Sequence, residues 1–199
     1  VNLDETDTVA DSPTDNFATW NPLSNSVGTL ADGNLRLNGT SSALKRCNGT
    51  IGVSSGKWYF EVKLTLGHTY TTVGIGQNNI TDQYPGQDAL SYAQTLEQGS
   101  KINNNSQPSY GSAFVSGDVF MCAFDLDNSK IFFGKNGTWF DSSDPETGTS
   151  PAYTLASGTY TPIARPYDSG TYIDANFGQQ DFTYTPPSGY LALSTANLT

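Results

Sequence analysis

Gly52, Ser54 and Gly56 form a literal match to G-x-S-x-G, the pattern of a hydrolase nucleophile. A nucleophile elbow needs a strand before the serine, a helix after it, and a histidine that accepts the proton. Here a predicted strand follows the serine directly, and the single histidine, His68, lies in the loop beyond that strand. The pattern therefore predicts a glycine-rich loop and not a catalytic serine.

The sequence Asp125-Leu-Asp127-Asn-Ser has the opening residues of a calcium-binding loop. An EF-hand loop needs glycine at its sixth position and a bidentate glutamate at its twelfth. Counted from Asp125, those positions hold Lys130 and Asn136. The segment is therefore interpreted as a polar hairpin turn, in which Asp and Asn side chains bond to nearby backbone N–H groups.

Carboxylates that could cleave a glycoside are not paired in this sequence. Sandwich-fold glycosidases place two carboxylates where they flank the scissile bond. Glu61 has Tyr59 and Lys63 as its neighbours on one strand face, and Asp125 and Asp127 end in a turn. We therefore predict that the chain is not an enzyme, although partners from distant segments would leave no such pattern.

The two cysteines, Cys47 and Cys122, do not form a disulfide framework. Cys122 alternates with Phe120 and Phe124, which predicts a buried, hydrophobic role for it. A Cys47–Cys122 disulfide is the less favoured alternative. With one histidine and two separated cysteines, the sequence predicts no metal site, and no cofactor is expected.

Loop aromatic residues among Asn, Gln and Ser are the better functional signal. Rigid amphipathic rings beside adaptable amides suit recognition of sugars or protein loops. The alternative is that each ring only covers one end of the fold. The candidate ligand-binding residues are Tyr70, Tyr84, Tyr92, Lys101, Asn103, Tyr110, Trp139 and Tyr167.

Residues 57–66 read KWYFEVKLTL and alternate as a half-buried strand does. The pattern predicts a core face of Trp58, Phe60, Val62, Leu64 and Leu66, and a solvent face of Lys57, Tyr59, Glu61, Lys63 and Thr65. After a turn, residues 72–77 are predicted to return as the second strand of a hairpin.

Residues 114–140 predict a compact meander of three strands. Residues 119–126 are apolar enough to be buried on both faces, and 131–134 form a second apolar run. Asn136-Gly137 favours a type I′ turn, since both central residues need positive φ. This meander is the predicted centre of the fold.

The remaining segments predict shorter elements. Residues 78–112 lack a regular pattern, which indicates either a functional loop region or hidden short strands near Tyr92 and 101–102. Further strands are predicted at 160–165 and 171–177, and no helix of ordinary length is visible.

The charge and hydropathy of the chain restrict the kinds of partner that it could bind. The 199 residues carry a net charge of −10, which disfavours nucleic acid. No apolar run approaches the roughly 20 residues that span a bilayer. The start of the chain is acidic and is not a secretion signal of the usual type. Residues 1–16 are predicted to form an arm, with one domain over 17–199.

Several motifs in series resemble the SPRY (B30.2-like) domain. They are GKWYFEV, VGIG, GDV, DLDN, KNG and NFG, and the likeness runs over about residues 34–191. The resemblance implies a bent sandwich of two antiparallel β-sheets, an all-β fold whose variable loops form a binding surface at one end. It implies a protein-interaction module and not an enzyme. The motif positions that it marks as structural are Trp58, Gly117, Asp118, Asp125, Leu126, Asn136, Gly137, Asn176, Phe177 and Gly178.

The segments DSPTDNFATWNPL and YTPPSGYLALSTANL resemble a version of this domain in bacteriophage structural proteins. That resemblance implies a virion structural or adhesion module, in a tail fibre or on a capsid surface. Its expected partners are other virion proteins, through the N-terminal arm, and a host surface glycan or protein. Homo-oligomerisation is left open. The alternative is a stand-alone carbohydrate- or protein-binding module, and a polysaccharide-degrading enzyme is a distant third.

Overall fold

Two β-sheets make up the computed structural model, which describes residues 15–24, 27–40, 45–66, 70–77 and 83–198. The strands are β1 Gly28–Ala31, β2 Arg36–Gly39, β3 Cys47–Asn48, β4 Lys57–Leu66, β5 Thr72–Gln77, β6 Ser91–Thr95, β7 Ser100–Ile102, β8 Val119–Asp125, β9 Lys130–Lys135, β10 Thr138–Trp139, β11 Tyr153–Thr154, β12 Tyr160–Arg165, β13 Tyr172–Asn176 and β14 Leu191–Ala192. Short 3₁₀ turns lie at Phe140–Ser142 and Thr195–Asn197.

The larger sheet has the order β1-β2-β13-β4-β8-β9-β10, with β11 added beside β9 and β14 beside β4. The smaller sheet has the order β3-β12-β5-β6-β7. Apart from the short parallel pairing of β14 with β4, the strand pairs are antiparallel. The predicted all-β antiparallel sandwich is therefore confirmed.

One hydrophobic core lies between the sheets. Phe60 of β4 and Phe120 of β8 come from the larger sheet, and Val73 and Ile75 of β5 come from the smaller one; all four are fully buried. Burial of large aromatic side chains supplies most of the driving force for such a fold. Trp20 packs edge-on against the buried ring of Phe177 in this core, which anchors the segment before β1.

The predicted central meander is confirmed. All of β8 is buried, and β8 lies between β4 and β9 near the middle of the larger sheet. Asn136 and Gly137 have φ of 50° and 82°, as a type I′ turn requires. Asp125 accepts hydrogen bonds from both nitrogens of Asn128, as the interpretation of this segment as a polar hairpin turn requires.

The predicted hairpin of residues 57–66 with 72–77 is wrong, although both strands exist with those bounds. β4 lies in the larger sheet, where β8 and β13 occupy its two edges. β5 lies in the smaller sheet between β12 and β6. The chain therefore crosses between sheets after β4. Alternation of apolar and polar residues cannot reveal this crossing, because it shows which face of a strand is buried and not which strands it pairs with.

The predicted solvent face of β4 is wrong at two positions. Lys63 is exposed, but Tyr59 and Glu61 are buried, at 0% and 2% exposure. The reason is a C-terminal flap, residues 181–190, that covers the outer face of the larger sheet. Flap and sheet share a second apolar cluster: the sheet supplies Tyr59, Met121, Ala123 and Phe132, with Trp139 against them, and the flap supplies Tyr190, with Phe182 and Tyr184.

The flap is fastened to β4 through one carboxylate. Glu61 accepts hydrogen bonds from the backbone N–H groups of Thr183 and Tyr184 at 2.9 and 2.8 Å. It also accepts the Tyr59 hydroxyl at 2.9 Å. Hydrogen bonds to an ionised acceptor are stronger than neutral ones. Glu61 therefore holds the flap against β4.

Cys47 and Cys122 are free and buried, so the less favoured disulfide is wrong. Burial raises the pKa of Cys47 to about 12, and it raises the pKa of Cys122 well above its usual value. Because the thiolate is the reactive form, we expect both thiols to react at least about a hundredfold more slowly in the native protein than in urea at pH 8. Timed labelling with a thiol reagent measures this, and rapid native labelling of either cysteine would contradict its placement.

Candidate functional site

An open cleft of about 310 Å³ brings together three of the predicted tyrosines. Its lining residues are Tyr70, Thr72, Tyr84, Thr95, Ile102, Gln107, Arg165 and Tyr167. Tyr70 precedes β5, Tyr84 precedes β6, and Tyr167 follows β12. Three separate segments of the chain therefore build one aromatic opening, which we call the tyrosine cleft.

The floor of the tyrosine cleft is a row of residues across the smaller sheet. Arg165 of β12 pairs with Thr72 of β5, and Thr72 pairs with Thr95 of β6. The next residues of β5 and β12, Val73 and Ala164, belong to the core. Because successive side chains point to opposite faces of a strand, the row faces away from the core.

The segment 83–90 lies over this outer face and holds Tyr84. The Tyr84 hydroxyl bonds to Asn105 Oδ1 at 2.5 Å. Asp88, in the same segment, is 3.4 Å from Nη1 of the fully buried Arg46, which also donates to the Gln77 carbonyl at 2.7 Å. Burial lowers the pKa of Arg46 to about 10, so it remains a cation at neutral pH. This ion pair fixes the segment that carries Tyr84.

Arg165 is the cation of the tyrosine cleft. Its guanidinium carbon is 4.5 Å from the ring centroid of Tyr167 and 5.4 Å from that of Tyr84. Burial lowers the pKa of Arg165, whereas the two tyrosines act in the opposite direction. Contacts of this kind hold a guanidinium in a defined plane.

Tyr70 forms the exposed wall. Its ring lies 5.3 Å from that of Tyr167 in an edge-on arrangement, and the residue is 45% exposed. Its φ is +76°, a left-handed conformation that is rare for a bulky side chain. Such strain concentrates at functional positions. The conformation and exposure together make Tyr70 a candidate contact residue.

Tyr92 and Tyr110 lie in the core and not at the cleft. Tyr92 is on β6 at 5% exposure, and its hydroxyl accepts the backbone N–H of Ala156 at 3.1 Å. Tyr110 is 3% exposed and packs edge-on against Phe133. In this structure neither ring can reach a ligand at the surface, because the sandwich covers both. Neither tyrosine belongs to the tyrosine cleft.

Lys101, Asn103 and Trp139 also have structural contacts. Lys101 donates to the Ala152 carbonyl at 2.9 Å and lies over two tyrosine rings. Asn103 Nδ2 donates to the Ser91 carbonyl at 2.9 Å, which ties the β7 loop to β6. Trp139 packs against the aromatic cluster under the flap. The structure does not bring these three to the tyrosine cleft.

Sequence reasoning missed Arg165, Thr72, Thr95, Ile102 and Gln107. Arg165 had a usable signal, since a charged residue ends the apolar strand YTPIAR two positions before Tyr167. A charge in a buried strand needs partners, and a following aromatic residue is one. The threonines carry no comparable signal, because their place in the floor follows only from the pairing of three strands.

The segment that matches G-x-S-x-G lines a second depression, of about 300 Å³, with Trp58 and Leu198. At the end of this segment Gly56 N donates to Asp127 Oδ1, and the chain then enters β4. Among the described residues, no three His, Cys, Asp or Glu side chains gather as metal ligands would. The described part of the chain contains no helix long and apolar enough to cross a membrane.

Comparison with known proteins gives the family. The SPRY domain model matches residues 57–179, from the start of β4 to just beyond β13. The chain belongs to the SPRY family. This confirms the resemblance to the SPRY domain. SPRY domains are typically protein-interaction modules.

Named relatives support this membership. Ran-binding protein 10 of Danio rerio is 32% identical over 83% of this chain, and Ran-binding protein 9 of Homo sapiens is 32% identical over 72%. ATP-dependent RNA helicase DDX1 of Xenopus laevis is 28% identical over 75%. The crystal structure of the SPRY domain of human HERC1 superposes with a TM-score of 0.66 at 19% identity, covering 81% of this chain and 99% of that one.

The chain spans 28%, 19% and 19% of the lengths of Ran-binding protein 10, Ran-binding protein 9 and the DDX1 helicase. These relatives are animal proteins, and nothing in them indicates a bacteriophage origin. The virion location, the virion and glycan partners and homo-oligomerisation therefore stay predictions without support from the comparisons. The alternative of a binding module is the better supported interpretation.

Proposed function

We propose that this chain is a recognition module that binds a short segment of another protein in the tyrosine cleft. The observation that carries the proposal is the convergence of Tyr70, Tyr84 and Tyr167 around Arg165 at an open surface. Tyrosine and arginine are enriched where binding energy concentrates at protein interfaces. A volume of about 310 Å³ accommodates two or three peptide side chains and is at the small end of ligand pockets.

The cleft favours a peptide over nucleic acid. A single arginine in a chain of net charge −10 is a poor match for a polyanion. A glycan could also stack on tyrosine rings, but family membership supports a protein ligand. What the relatives bind, including what the name Ran-binding protein states, is a property of those proteins and assigns no ligand to this chain.

The test is selection of a random peptide library against the full chain, followed by affinity measurements with cleft variants. We expect Tyr70→Ala and Tyr167→Ala each to weaken the selected peptides by about 2 kcal/mol, roughly thirtyfold, because each removes a central aromatic contact.

Tyr172→Ala is the matched control. Like Tyr167, Tyr172 is half-buried and has an arginine over its ring, Arg36 at 5.0 Å, but it lies on β13 of the other sheet. The control should bind like the wild type. If no selected peptide depends on Tyr70 or Tyr167, or if a glycan array yields the only cleft-dependent ligands, the proposal fails.

A further inference from the structure

The chemistry of the ligand follows from how Arg165 is held in the tyrosine cleft. Its guanidinium lies over the rings of Tyr167 and Tyr84 at 4.5 and 5.4 Å. Each contact places the guanidinium carbon over the π-face of a ring, and the guanidinium itself is a planar fork of five N–H donors. A planar fork of donors matches a carboxylate, which accepts two of them side by side.

The surroundings strengthen this preference. Arg165 is only 4% exposed, so its charge is poorly solvated by water. A charge interaction is stronger where water is excluded. Arg165 also interacts within the protein, and with five N–H donors it does not depend on a ligand for all of its partners.

The walls determine what must flank the charged group. The exposed Tyr70 ring and the Tyr167 ring stand beside each other, and Ile102 adds an aliphatic surface. Thr72 and Thr95 extend the floor as small hydroxyl-bearing residues. A ligand that fits this lining has one anionic group and apolar atoms next to it. A sulfate or a phosphate chain would leave the aromatic walls without a partner.

We infer that the peptide bound in the tyrosine cleft carries a carboxylate that binds Arg165, with an adjacent apolar side chain packed on Tyr70 and Tyr167. The carboxylate is an Asp or Glu side chain or a peptide C-terminus. This inference rests on the proposed function and names the ligand class of the same site.

The experiment uses the cleft-dependent peptides from the random library, as synthetic peptides, and the unchanged full chain. We expect enrichment of one acidic position or of a free C-terminus among them. Replacing Asp by Asn or Glu by Gln at that position should weaken binding about tenfold or more. Amidation of the peptide C-terminus should weaken binding only if the carboxylate is the C-terminus and not an Asp or Glu side chain. Because these changes are in the peptide, folding of the protein cannot confuse the result.

Protein variants give the reciprocal measurement. Arg165→Gln should remove the difference between the acidic peptide and its amide form, and Arg165→Lys should restore part of it. Lys63→Gln, an exposed charge on the other sheet, should leave the difference intact. If peptides are lost with Tyr70→Ala but show no dependence on a carboxylate, the inference is overturned and the proposed function stands. If no peptide depends on the cleft, both fail.

Discussion

Phe124→Asp is expected to abolish folding. Phe124 is fully buried on β8, where its ring lies 6.4 Å from that of Phe60. The change removes aromatic packing worth about 3–5 kcal/mol and adds an unpaired buried charge that costs several kcal/mol more. Together these equal or exceed the whole stability of a typical domain, about 5–15 kcal/mol. Circular dichroism with a thermal melt should show no cooperative transition.

Thr138→Asp is the control for this prediction. Thr138 is exposed on β10 of the same meander, so the same new charge remains in water there. Its melting temperature should stay within a few degrees of the wild type. A soluble Phe124→Asp protein that melts cooperatively would contradict the placement of β8 at the centre of the sandwich.

Glu61→Ala is expected to detach the C-terminal flap and to destabilise the domain by about 2–4 kcal/mol. The substitution leaves the N–H groups of Thr183 and Tyr184 and the Tyr59 hydroxyl without their common acceptor. Urea denaturation measures the loss. Hydrogen exchange adds a local readout, since the amides of Thr183 and Tyr184 should exchange much faster.

Glu146→Ala is the matched control for Glu61→Ala. Glu146 is an exposed carboxylate that accepts one backbone N–H, from Ser188 of the same flap, at 2.9 Å. Glu146→Ala should cost less than about 1 kcal/mol, because water replaces the lost acceptor. If Glu61→Ala is no more destabilising than Glu146→Ala, Glu61 does not hold the flap.

Much of the fold was predictable because its signals are local. The Asn136-Gly137 turn and the bounds of β4, β5 and β12 follow from turn chemistry and alternation. Alternation could not show that β4 and β5 belong to different sheets. Nor could it show that Tyr59 and Glu61 are covered, since the flap comes from more than 120 positions later in the chain.

The candidate site was predictable only in part for the same reason. Residue type marked Tyr70, Tyr84 and Tyr167, but it marked Tyr92 and Tyr110 equally, although both are buried. Whether a ring faces the core or a cleft depends on strand register and on the loops above it. Arg165 joins Thr72 and Thr95 only through pairing of three strands that are distant in sequence.

The most direct test of the central claim is a crystal structure of the full chain with a peptide selected from the random library. We predict peptide density in the tyrosine cleft, with an apolar side chain against Tyr70 and Tyr167 and a carboxylate about 2.7–2.9 Å from the Arg165 nitrogens. A peptide bound in the depression formed by residues 52–55 and Leu198, with the tyrosine cleft empty, would contradict it.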